Sequence, residues 1–158
     1  MRIEIKGRPR RVSREFVRAW CQATVCVLSY HNRPSAGGGG GRVEVKLIDD
    51  LAQEGGWSPG EIALNSELGA EMMATTIVHE LVHECCGNFG EGTEEKCTST
   101  LTARLKPLIK PLAESLMEHT YRVAAYLAHT RMSYRTDTDH YDPAEDRAIG
   151  VVDRRKRT

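Results

Sequence analysis

The sequence carries no net charge: 22 Lys and Arg balance 22 Asp and Glu. Global charge therefore gives no reason to expect a polyanionic partner. No apolar run approaches the roughly 20 residues that a membrane span requires, and no signal-peptide core follows Met1. The five cysteines, Cys21, Cys26, Cys85, Cys86 and Cys97, are odd in number and lack the spacing of a disulfide framework. These absences lead us to expect a cytoplasmic chain with reduced thiols and no membrane partner. Cys21 and Cys26 share a helical pattern with Val25 and Leu28, so packing is the expected role of both. No internal repeat is visible. A phosphate-binding loop is missing too. The run Gly37 to Gly41 leads into an alternating strand, not into Gly-Lys-Ser/Thr and a helix.

What remains is one ordinary domain. At 158 residues the chain can bury roughly two-thirds of its unfolded surface, although its 40% hydrophobic content is modest. Charge is uneven near the start, where Arg2, Lys6, Arg8, Arg10, Arg11, Arg14 and Arg18 face Glu4 and Glu15. Such a cluster can be a nucleic-acid footprint, but a solvated strand-to-helix segment is the favoured reading.

Periodicity outlines the elements. Residues 2–5 alternate and predict a short strand. Ser13 is placed to cap a helix on which Phe16, Val17, Trp20, Thr24 and Val27 recur every three or four residues. Residues 42–48 and 61–65 alternate as two further strands, and polar residues 49–60 read as a loop. From Gly69 to Cys86 the pattern is helical, with Ala74, Val78, Leu81 and Cys85 on one stripe and Gly87 as a stop. Gly90-Glu91-Gly92 predicts a turn, and Thr93 a cap for a helix from Glu94 to about Lys106. Pro107 and Pro111 are expected to break or kink the chain beyond it. A third helical stretch covers 112–131, with Leu112, Leu116, Val123 and Leu127 as core candidates. The organisation expected is a domain over 1–132 and a polar tail over 133–158.

One constellation carries chemistry. His79 and His83 stand four residues apart on a helix, and four steps of about 100° return within about 40° of the start. Two neutral imidazoles on one face can then hold one Zn²⁺. Glu80 sits beside the ion, where its carboxylate can act as general base on a bound water. A catalytic zinc site keeps three protein ligands and an open position. The candidates for the third are Glu91, Glu94, Glu95 and Cys97. Glu94 lies three residues before Cys97 and seven before Leu101, so it is placed on the inward face and ranks first, with Glu95 as the alternative. Cys85 and Cys86 continue the same straight helix and are assigned to packing.

Ile77-Val78-His79-Glu80-Leu81-Val82-His83, followed by Glu94-Glu95 and the spaced Leu101, Leu105 and Pro107, resembles the minimal zincin metallopeptidases. The nearest type is gluzincin-like, as in ImmA/IrrE-related and small phage-encoded proteins. The resemblance covers about residues 61–107. It implies an α+β fold, with a small mixed sheet packed on the active-site helix and further C-terminal helices. It implies zinc on His79, His83 and Glu94, and Glu80 as the catalytic base. Residues 62–65 resemble the edge strand along which zincin substrates lie. A third histidine six residues after His83 would mark the metzincin arrangement, but that position is Phe89. The activity implied is hydrolysis of a protein or peptide substrate. The alternatives are a zincin-like binding protein that cleaves nothing, associated with DNA, and a zinc amidase acting on a non-protein substrate.

Overall fold

A computed structural model describes residues 1–31, 41–86 and 94–138, with backbone only at 30–31 and 129–138. The glycine run before Gly41, the stop at Gly87, the turn at 90–92 with Glu91, the Thr93 cap and the tail from 139 lie outside the described residues. Two compact units divide the chain, Met1–Thr120 and Tyr121–Thr158.

The first unit is α+β. Its elements are β1 (Arg2–Lys6), α1 (Arg14–His31), β2 (Arg42–Ile48), β3 (Gly55–Ser58), β4 (Glu61–Asn65), α2 (Ala70–Cys86) and the start of α3 (Glu94–Thr138). The four strands form one mixed sheet in the order β1-β2-β4-β3. β1, β2 and β4 are parallel, and β3 closes antiparallel onto β4. Alternation decides which face of the sheet is covered. Ile5, Val43, Val45, Leu47, Ile62 and Leu64 are buried on one face, against Val17, Trp20 and Leu28 of α1 and Met73, Ile77, Val78, Leu81 and Val82 of α2. The other face is an ion-pair ladder. Glu4 pairs with Lys6 and Arg42, and Lys46 with Glu44 and Glu61.

Ser13 caps α1, its hydroxyl accepting from the Phe16 amide at 3.0 Å. Three of the basic N-terminal residues are engaged within the protein. Lys6 pairs with Glu4, Arg10 forks onto Asp49, and Arg14 donates to the Ile5 carbonyl at 2.7 Å. Cys21 is buried, and burial pushes its thiol up to about 12, so it is inert. Cys26, expected in the core, is exposed, because Val17, Cys21, Thr24 and Leu28 carry the inward stripe.

Three expectations about the elements change. The stretch 49–60 contains β3, whose hairpin to β4 turns through Pro59-Gly60. Proline presets its own φ and Gly60 takes φ 81°, which side chains disfavour, so this pair defines the turn. β4 is consequently interior, and β3 is the edge strand beside α2, correcting the edge assignment of residues 62–65. Finally, Pro107 and Pro111 lie inside α3 and do not end it. Each proline removes one backbone hydrogen bond. Both sit four residues apart on the exposed face, where water can meet the freed carbonyls, while Leu105, Ile109 and Ala113 anchor the opposite face in the core. Cys97 is exposed because the inward stripe of α3 runs through Thr98, Thr102, Leu105 and Ile109.

In the second unit the described residues are the end of α3. Val123 and Leu127, expected in a core, are 44% and 50% exposed there, beside exposed Tyr121 and Tyr126. Among the described residues, no helix is long and apolar enough to cross a membrane.

Candidate metal centre

The site forms where α2, the first turn of α3 and the edge strand β3 meet. α2 brings His79, Glu80 and His83 to one side, as the four-residue spacing requires. The Nε2 atoms of the two histidines stand 3.2 Å apart. Glu95 closes the triangle, with carboxylate oxygens 3.0 Å from His79 Nε2 and 3.5 Å from His83 Nε2. Donors bound at about 2.0–2.1 Å around a tetrahedral ion are separated by about 3.3 Å. The histidine pair lies near that value; the two Glu95 contacts run to different oxygens, and one donor atom from each of His79, His83 and Glu95 lies within 4.8 Å of the others, close enough for the three to hold one small cation.

Glu94 occupies a different place. Its Oε1 lies 3.1 Å from His83 Nδ1, on the side of the ring away from His79. A carboxylate placed there accepts from an Nδ1–H, and that tautomer would leave the Nε2 lone pair free for a metal. The sequence places Glu94 first and Glu95 second as metal ligand. In the structure Glu95 faces the two Nε2 atoms, and Glu94 holds His83 from behind. Thr98 sets this register, since Glu94 and Glu95 lie one turn before that buried residue. Burial, the largest influence, lowers the pKa of His79 and favours the neutral form a metal needs; Glu95 opposes this and His83 adds to it.

Glu80 is 6% exposed and has no hydrogen-bond partner among the described residues. Burial pushes its carboxyl up to about 7, with Glu95 reinforcing and His83 opposing the shift. The buried side-chain oxygens left without a partner among the described residues are those of Thr98 and Thr102, whereas the Glu80 carboxyl is reached from a cavity. It lines a cavity of about 620 Å³ together with Gln53, Gly55, Trp57, His79 and Glu95.

The β3–β4 hairpin completes the wall, and sequence reasoning missed its contribution. Trp57 stacks on the His83 ring, with centroids 5.6 Å apart and planes at 14°. Glu84, next to His83 on α2, accepts from the Trp57 indole at 2.7 Å and from the Gly60 amide at 3.0 Å. One carboxylate thus ties the hairpin to the histidine helix. The signal available was Ser58-Pro59-Gly60-Glu61, a turn signature directly before the alternating run 61–65.

Gly55 lets β3 come close. A Cβ there would stand 2.5 Å from Thr76 Cγ2 and 2.9 Å from Glu80 Oε1. Gly55→Ala is therefore expected to displace Glu80 or the strand and to cost about 1–3 kcal/mol, as overpacking does. Urea unfolding measures this; a variant as stable as the parent contradicts the close approach.

No family model, curated protein or solved structure matches this chain.

Proposed function

We propose that this chain is a zinc-dependent peptidase of zincin-like architecture, with zinc held by His79, His83 and Glu95 and with Glu80 as general base. The observation that carries the reading is the carboxyl of Glu80, which accepts no hydrogen bond among the described residues and lines a cavity beside His79, His83 and Glu95, three donors close enough to share one ion. When bound, zinc supplies a water whose pKa falls from 15.7 towards about 7, and it polarises the carbonyl under attack. Glu80 would act as the base that accepts a proton from the attacking water and as the acid that returns it to the leaving amine. Glu94 fixes the tautomer of His83, and Trp57 supports the flat side of its ring. A peptide can lie along β3, because an edge strand offers unpaired backbone groups to an extended chain.

The test is hydrolysis by the purified full chain. Peptide cleavage should be abolished by a chelator and restored by added zinc. Cleavage that survives complete removal of metal overturns the reading.

A further inference from the structure

The cavity beside Trp57 is not closed at the metal centre. A second cavity of about 710 Å³ shares Gln53, Gly55, His79, Glu80 and Glu95 with it and extends past Glu54, Thr75 and Ser99. The candidate site therefore lies midway along a cleft, with room on both sides. A compact small molecule would need one of these cavities; an extended chain would use both.

Charge distinguishes the second half. Most of its polar lining is already engaged. The Asn65 side chain donates to the Leu51 carbonyl and accepts from the Glu67 amide. Thr75 and Thr76 donate to carbonyls of their own helix. Lys106, which reaches Thr75, is neutralised by Glu71. Glu54 is exposed and has no ion-pair partner among the described residues. It offers an exposed carboxylate at the side of the cleft, one residue before the edge strand begins and near enough to His79 to act on that ring.

We propose that the cleft takes an extended polypeptide segment running through both cavities, with a Lys or Arg side chain held beside Glu54 and the scissile bond at the centre. This rests on the peptidase reading and names its substrate class: an internal, locally basic stretch of chain. The contribution of Glu54 is that of an exposed ion pair, so it sets preference and not absolute activity.

The experiment uses the zinc-loaded full chain and end-blocked peptides of one scaffold, with a single position scanned through Lys, Gln and Glu. Internal cleavage is expected. The Lys peptide should exceed the Gln peptide by about three- to fivefold in kcat/KM, mostly through KM, and the ratio should shrink as salt rises. Glu54→Gln should level the two, and Glu54→Lys should reverse the order of the Lys and Glu peptides. Equal rates for all three peptides, a preference that survives Glu54→Gln, or a need for a free terminus would overturn the proposal. Should no peptide be cut, the peptidase reading falls. The cleft is then read separately, by fluorescence anisotropy of the same peptides on Glu80→Gln protein. Tighter binding of the Lys peptide that disappears in the Glu54→Gln, Glu80→Gln double variant supports it, and equal binding overturns it.

Discussion

Glu80→Gln is expected to keep its zinc and to lose peptide hydrolysis by about 10²–10⁴-fold in kcat, the usual contribution of a positioned general base. Glutamine has the same shape and leaves the α2 helix undisturbed, but it cannot take a proton. Zinc should stay because Glu80 is not among the three donors that converge. Without the metal, burial pushes the Glu80 carboxyl up to about 7. A cation bound beside it would lower this value and favour the ionised form that accepts a proton. The effect should fall on kcat more than on KM. Metal analysis paired with steady-state kinetics checks this, and a variant that retains near-parent activity removes Glu80 from the chemistry.

Replacing the two adjacent glutamates should have different consequences. Glu95→Ala removes a donor 3.0 Å from His79 Nε2, so zinc affinity is expected to drop by more than about 100-fold. Glu94→Ala removes the partner of His83 Nδ1 and leaves the three donors in place. A loss of about 10–100-fold is the usual result for an outer partner of a ligating histidine. Competition with a chromogenic chelator measures both constants. The reverse order, with Glu94→Ala the more damaging, would restore Glu94 as the ligand and assign Glu95 to solvent.

How far the sequence reveals the site depends on the kind of signal each part carries. The spacing of His79 and His83 is a property of one helix, whose geometry puts both rings on one face, where their nitrogens stand 3.2 Å apart. The burial alternation of β1, β2 and β4 is equally local, and it marks the face that α1 and α2 cover. The choice between Glu94 and Glu95 is not local. Neighbouring residues on a helix differ by about 100°, so the answer depends on how α3 is rotated against α2, which Thr98 and Thr102 set by being buried. Cys97 is exposed and Thr98 buried, but Glu94 lies four residues before Thr98 and is more buried than Glu95, so the inward stripe alone does not separate the two. β3 is hidden for a different reason. Gly55 and Gly56 carry no side chains to alternate, and Gly55 is small because Thr76 and Glu80 lie against it. Its role appears only once α2 is packed beside it. The prolines of α3 mislead in the opposite direction, since an intrinsic preference for breaking the helix is overridden where Leu105, Ile109 and Ala113 are held in the core.

The central claim is a zinc ion on the α2 histidines, and elemental analysis of chain purified without chelators tests it most directly. The account predicts about one zinc per chain, with X-ray absorption showing two imidazole nitrogens at about 2.0–2.1 Å and a carboxylate oxygen. It also predicts loss of the ion in His79→Ala and His83→Ala. Absence of zinc after exposure to zinc salts, or zinc retained by both histidine variants, would contradict it.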